Sequence, residues 1–191
     1  SIITSAYTLR VYSGGKWTGL ENHNWHNPDN WLGNTVPTQA DDVLIPDGCP
    51  NDPYIYAQSL AAVRSLTLAG NAALHVQTSN LSVYGNFQVL GTVHLENEVS
   101  TLEVTGNLTW EANSSLVANT GSNIVCYGSW TVKENAQIRQ GAGTVIFVSD
   151  RNAHITNLAG NTSFFNLTIN KQSSATLYYS GLSTQDLKIT G

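Results

Sequence analysis

Apolar and polar residues alternate along most of this chain in short runs that return at a nearly fixed interval. In "LEVTGNLTWEANSSL", residues 102 to 116, Leu102, Val104, Leu108 and Trp110 alternate with polar positions on either side of a Gly106-Asn107 corner. Similar phrases stand one period earlier, "LSVYGNFQVLGTVHL" from Leu81, and one period later, "IVCYGSWTVKENAQI" from Ile124. Strand-like phrases begin at Val43, Leu66, Leu81, Leu102, Ile124, Val145, Leu167 and Leu187. Their steps cluster around a period of about 21. Only the step from Leu66 to Leu81 is clearly shorter.

The columns agree beyond the first position. Two residues on stand Ile45, Leu68, Val83, Val104, Cys126, Phe147, Ile169 and Ile189, all apolar. Between them lie Leu44, Thr67, Ser82, Glu103, Val125, Ile146, Thr168 and Lys188, mostly polar. Side chains alternate faces along a strand, so the first set points inward and the second outward. A second strand is marked by Phe87 with Val89, Leu108 with Trp110, and Trp130 with Val132. A third is marked by Leu95, Leu116 and Ile138, each at the same offset from its own repeat start at Leu81, Leu102 or Ile124.

Three short strands per period describe a coil that buries nothing alone but forms a core when stacked. Gly70-Asn71, Gly85-Asn86, Gly106-Asn107 and Gly128-Ser129 read as its sharp corner, where Gly and Asn tolerate left-handed backbone. The predicted class is all-β: a single-stranded parallel β-solenoid, expected to be a right-handed β-helix. About seven coils over residues 42–191 would make a tube roughly 35–40 Å long at the strand spacing of ~4.8 Å. An antiparallel sandwich or barrel also uses many short strands, but does not need one residue class to recur in register. The helix-like "AQSLAAVR", 57 to 64, reads as strands of the first coil.

Residues 1–41 lie outside the repeat. Trp17, Trp25 and Trp31 fall close together, interleaved with Asn and followed by Pro37 and Asp41-Asp42. A solenoid end needs covering, so this segment is expected to be a cap, each indole N–H finding a loop carbonyl. The same three tryptophans are the candidate stacking platform for a glycan. At the other end the pattern stops with Leu187 and Ile189 still in core columns, and the parent polypeptide is expected to continue beyond residue 191.

Composition narrows the partners. Only 11% of residues are charged, and a formal charge of −5 with 8 Lys and Arg argues against nucleic acid or an anionic membrane. No apolar run approaches the roughly 20 residues of a membrane span. Two cysteines, Cys49 and Cys126, make no disulfide framework; Cys126 sits in a core column and reads as a buried free thiol.

Candidate chemistry is sparse. "SGGKWTG" lacks the phosphate-loop spacing, and no nucleophile elbow or H-E-x-x-H helix is present. His23 and His26 offer two zinc ligands where three or four are needed. Asp41, Asp42, Asp47 and Asp52 place four carboxylates in a short stretch, the candidate site for Ca²⁺, the one cofactor these residues suggest. Asp is equally expected at turns without an ion. A polysaccharide-degrading β-helix needs clustered acids on one outer face, whereas Glu103, Lys188, the Asp150-Arg151 pair and the Lys133-Glu134 pair are scattered. Thr67 and Thr168 are not stacked against further threonines as an ice-binding face requires.

"NWHNPDNW…VPTQADDVLIP" resembles the W-x-N-P-x-N-W…P-T-x-x-D-D-V-x-I-P phrase of large secreted and surface proteins of Bacteroidetes type. "GTVIFVSDRNAHITNLAGNTSFFNLTINK", residues 143 to 171, is similar to the G-x-V-x-F…Q-x-I-x-G…F-x-N-L-x-I-x-K segment of the same proteins, with His154 in place of the usual Gln. The resemblance implies long, adhesin-like chains with right-handed β-helical repeats, export to the cell surface or medium, and no common catalytic motif. The expected function is therefore a non-enzymatic structural or adhesive module, with a glycan or another surface protein as partner. A carbohydrate-binding module is the alternative, and a β-helical enzyme fragment the more distant one.

Overall fold

The alternation turns directly into burial. In each four-residue run of the type Ser65–Leu68, two side chains are buried and the two between them face outward. The computed structural model of the protein describes residues 15–56, 60–139, 141, 143–159, 164–172 and 174–181. The first coil is β1 (Asp42–Ile45), β2 (Tyr54–Ile55) and β3 (Leu60–Val63). The second is β4 (Ser65–Leu68), β5 (Ala73–Val76) and β6 (Asn80–Val83), and the third β7 (Phe87–Val89), β8 (Thr92–Leu95) and β9 (Thr101–Val104). The fourth is β10 (Leu108–Trp110), β11 (Ser115–Ala118) and β12 (Asn123–Cys126). Then follow β13 (Trp130–Val132), β14 (Gln137–Arg139), β15 (Thr144–Ser149), β16 (Ala153–Asn157), β17 (Asn166–Lys171) and β18 (Leu177–Gly181).

Each strand pairs in parallel with its counterpart one coil away, giving three sheets of seven, five and six strands. The chain is a parallel β-solenoid of about six turns, with about 22 residues per turn. The seven-stranded sheet runs β1-β4-β7-β10-β13-β16-β18, the five-stranded β2-β5-β8-β11-β14, and the six-stranded β3-β6-β9-β12-β15-β17. Six spacings of ~4.8 Å give the described tube a length of about 29 Å. Leu60–Val63 is strand, as expected for the first coil.

Register corrects the sequence alignment in two places. Val43 and Leu66 do not stack on Leu81; they lie in the seven-stranded sheet, where Leu66 pairs with Phe87. Leu81 pairs instead with Ala61 below and Leu102 above, in the six-stranded sheet. The short step from Leu66 to Leu81 is therefore a change of face within one coil and not a shortened coil. In the third sheet the partner of Leu116 is Val93, while Leu95 pairs with Ala118. Ile169, expected inside, is 49% exposed, because β17 is the end strand of its sheet and no described rung covers it. Leu187 and Ile189 lie outside the described residues.

The glycine corners also work differently from the expectation. Gly85, Gly106 and Gly128 do not have positive φ. Their requirement is spatial: a Cβ on Gly106 would lie 2.5 Å from the Gly85 carbonyl group, and one on Gly128 2.3 Å from the Gly106 oxygen. Beside them runs a polar ladder. Asn107 N–H donates to Asn86 Oδ1 at 2.9 Å, Ser129 N–H to Asn107 Oδ1 at 2.9 Å, and His154 N–H to Ser129 Oγ at 3.1 Å. Gly70, in the same Gly-Asn dipeptide, has nothing within 4 Å of a would-be Cβ. Gly106→Ala should thus lower the urea midpoint, by about 1–3 kcal/mol in stability from overpacking against backbone. Gly70→Ala should be neutral or stabilising by up to about 1 kcal/mol. Equal losses at the two sites would refute the close-approach account.

Candidate functional site

The corner between the six- and seven-stranded sheets keeps one compact form through Gly128 and lengthens after β15 and again after β17. Phe87, Leu108 and Trp130 follow one another in the seven-stranded sheet at the regular period. From Trp130 to Ile155 the step is a few residues longer, although Ile124 to Val145 in the neighbouring sheet keeps that period. The extra residues stand between Phe147 and Ile155, where Ser149-Asp150-Arg151-Asn152 replaces the compact Gly-Asn corner. This loop overhangs a cleft of about 320 Å³ lined by Thr105, Asn107, Tyr127, Ser129, Asp150 and Arg151, with the bare backbone of Gly106 and Gly128 in its wall.

The overhang is pinned from behind. Ser149 Oγ donates to the Tyr127 carbonyl at 3.0 Å, and Arg151 N–H donates to Ser149 Oγ at 3.3 Å. Lys171 Nζ donates to the carbonyls of Val148 and Arg151 at 3.4 and 2.9 Å. Burial pushes the Lys171 ammonium below its ordinary pKa, with Asp150 opposing the shift. Tyr127 is half-buried; a hydrogen bond to the Glu103 carboxylate, together with burial, holds its hydroxyl above the usual tyrosine value.

The tryptophans expected to cap the tube or to stack on a glycan are fully buried. Trp17, Trp25 and Trp31 are 0%, 0% and 1% exposed and belong to the solenoid core. Trp31 stands edge-on to Trp17 at 5.0 Å and to Trp25 at 4.7 Å. No indole face is left for a sugar ring, so the stacking-platform reading of these three residues is corrected. Trp17 Nε1 donates to Asn51 O and Trp31 Nε1 to Trp25 O, both at 2.7 Å, while Trp25 Nε1 finds no partner. The segment also lengthens the sheets: Lys16 bridges in parallel to Leu44 of β1, and Asn24 to Tyr54 of β2.

The loop holds because of Asn30, the second Asn of the W-x-N-P-x-N-W phrase, to which the sequence assigned no role. Its side chain is wholly buried and accepts from Glu21 N–H and Asn22 N–H, both at 3.0 Å. It donates to Asn22 Oδ1 and the Asn24 carbonyl, both at 2.9 Å. Four hydrogen bonds satisfy the buried amide. Pro28–Asn30 is a 3₁₀ turn, its Asn27 side chain accepting from Asp29 N–H.

The four aspartates do not converge. Asp41 accepts from Thr38 N–H at 2.8 Å and Asp42 is gripped by the Arg64 guanidinium and Ser65 Oγ. Asp47 accepts from Asn71 Nδ2 at 2.9 Å and Asp52 from Ala73 N–H at 3.0 Å. Asp41 closes its own turn, and the other three tie theirs to a neighbouring coil. Among the described residues no three His, Cys, Asp or Glu side chains come together as metal ligands, which corrects the calcium reading. His23 and His26 go separately to the carbonyls of Asp52 and Leu60. Cys49 and Cys126 are free thiols; burial pushes the Cys126 thiol far above its ordinary value.

The family model of a domain of unknown function, DUF8693, matches residues 16–140. The chain belongs to the DUF8693 family. No curated protein and no solved structure matches it. The DUF8693 match takes in the Trp-rich segment and the coils through β14, and ends before the 149–152 overhang.

Within the DUF8693 region, the outer face of the five-stranded sheet carries a column of rings. Register aligns Tyr54, His75 and His94, followed by Val117 and Arg139. Tyr54 and His75 stack at 4.0 Å and His75 and His94 at 4.4 Å, each pair within 4° of parallel. Glu96 Oε1 lies 2.5 Å from His75 Nδ1, and Gln77 Nε2 donates to the same carboxylate. Burial, then the neighbouring His75, push His94 below the ordinary histidine value; Glu96 and Asp52 oppose this. The unfolded chain takes up this proton near pH ~6.5 and the folded ring only at lower pH. Stability contributed by neutral His94 is therefore complete above about pH 6.5 and is lost as pH falls toward the folded value. The melting temperature should drop between about pH 7 and about pH 5, and His94→Gln should flatten that drop. An unchanged profile in the variant would assign the effect to another group.

Proposed function

We propose that this chain is a non-enzymatic structural or adhesive module of a secreted or cell-surface protein, with a glycan or another surface protein as its partner. The observation that carries the reading is the continuity of the three sheets around one filled interior. The inward columns stay apolar from coil to coil, and polar side chains stand on the outer faces between them. A scaffold of this kind holds surface groups at fixed spacing along a rigid axis, which is what a spacer or adhesive stalk needs. The resemblance of the Trp-rich phrase to exported proteins supports a setting outside the cell. Among the described residues no helix is long and apolar enough to cross a membrane.

An antibody raised against this segment tests the setting. It should label intact cells of the source organism or their culture medium, with the cell label removed by protease added outside. Labelling that appears only after permeabilisation overturns the reading. Incubation with mixed polysaccharides should release no new reducing ends above a blank; release that scales with protein concentration would make the module an enzyme.

A further inference from the structure

We infer that the cleft under the 149–152 overhang is a binding subsite for a single sugar unit of a glycan. The inference rests on the adhesive part of the proposed function and gives it a location other than the buried tryptophans. At about 320 Å³ the cleft lies at the low end of the roughly 300–1,000 Å³ typical of small-molecule sites. Its chemistry pairs one ring with a rim of polar side chains whose internal bonds leave capacity to spare.

Tyr127 supplies the ring, and the Glu103 carboxylate fixes its hydroxyl. Asn107 Oδ1 is taken by Ser129 N–H, which leaves the amide Nδ2 as donor. Ser129 Oγ accepts from His154 N–H, which leaves its own O–H to donate. Asn152 Oδ1 accepts from Thr176 N–H, and its Nδ2 remains in the same way. Arg151 makes no ion pair among the described residues, and its guanidinium offers a planar fork for hydroxyl or carboxylate oxygens. Asp150 adds an acceptor for hydroxyl hydrogens. A pyranose ring offers an apolar face beside hydroxyls that both donate and accept, and the cleft answers each of these. Gly106 and Gly128 contribute backbone to the wall.

Two features make this a built site. The overhang exists only because the chain places extra residues at this corner, and Lys171 and Ser149 commit their hydrogen bonds to holding it. Neither is needed to close the coil, since the corners at Gly85 and Gly106 close without them.

The test uses the whole chain on an array of immobilised neutral and uronic-acid oligosaccharides. The expected result is retention on at least one oligosaccharide, falling at least tenfold in Tyr127→Ala and in Arg151→Ala. Tyr127→Phe, which keeps the ring, should still bind, and so should Arg139→Ala on another sheet. Circular dichroism and thermal melting should be unchanged in Arg151→Ala. Retention confined to uronic-acid chains would assign Arg151 to the sugar carboxylate, and retention on neutral chains would assign it to ring hydroxyls. Full binding by both alanine variants overturns the subsite while leaving adhesion by another surface standing. No retention of any oligosaccharide overturns the subsite and leaves the export result to decide the module's setting.

Discussion

Val104→Asp should leave no folded protein. Val104 is fully buried and stands in the interior column between Val83 and Cys126, each one rung away. A carboxylate there has neither water nor a hydrogen-bond donor. An unpaired buried charge costs several kcal/mol even after relaxation, set against a total stability of about 5–15 kcal/mol for a typical domain. Because the strands above and below are tied to the same column, the damage reaches both neighbours. Circular dichroism should show loss of the β signal at room temperature, whereas Val104→Ala should fold with a reduced melting temperature. A native-like melt for the aspartate variant would mean that the inward column has been wrongly identified.

Trp31→Ala is the second large effect, and its location matters as much as its size. The indole packs edge-on against both Trp17 and Trp25 and donates its N–H to the Trp25 carbonyl. Removing a buried Trp typically costs about 3–5 kcal/mol. In a stack whose coils touch only their neighbours, that loss need not spread evenly. Hydrogen exchange should rise first in β1–β3, which the Trp-rich segment covers, while amides of β10–β15 keep their protection. Leu32→Ala, one residue on and 52% exposed, should change little. Uniform loss of protection along the tube would argue that the solenoid unfolds as one unit.

The period of the solenoid and its inward columns were legible because they rest on the alternation of side chains along a strand. Leu102, Ile124 and Val145 were placed on one face, as were Leu108 with Trp130. What misled was degeneracy: all three faces of a coil use the same apolar-x-apolar phrase, so Leu66 and Leu81 looked equivalent although they lie on different sheets. Sequence pattern marks a strand but not which side of the coil it forms. Register in the third sheet failed for a related reason, since loop lengths before Val93 and Leu116 differ and a fixed offset chose Leu95.

The candidate site was less legible. Asp41, Asp42, Asp47 and Asp52 are close in sequence, but each turns to a different partner, so proximity along the chain did not become proximity in space. The tryptophans were recognisable as a cap or a platform, and only burial separates the two. The Tyr54, His75 and His94 column becomes visible in the sequence once the true register is known, because each ring then falls one coil after the last. The cleft left one signal, a corner after β15 a few residues longer than the corners before it. That signal was hidden because the flanking phrases of the other sheet kept their period.

The polar corner ladder has a consequence for how such a chain lengthens and shortens over generations. Each rung offers its side-chain oxygen to the backbone of the next and asks only for a Gly-Asn or Gly-Ser pair in return. Asn86 and Asn107 are therefore interchangeable junctions. Removing residues 87–107 would join Asn86 to Leu108 and leave every inward column intact, one rung shorter. Gaining or losing a single residue inside a strand would instead turn a whole face inside out. Heredity can thus edit this molecule in units of one coil almost freely, and can vary its corners, where a few added residues at 149–152 made a cleft. A fold of this kind evolves by counting rungs and by decorating their edges.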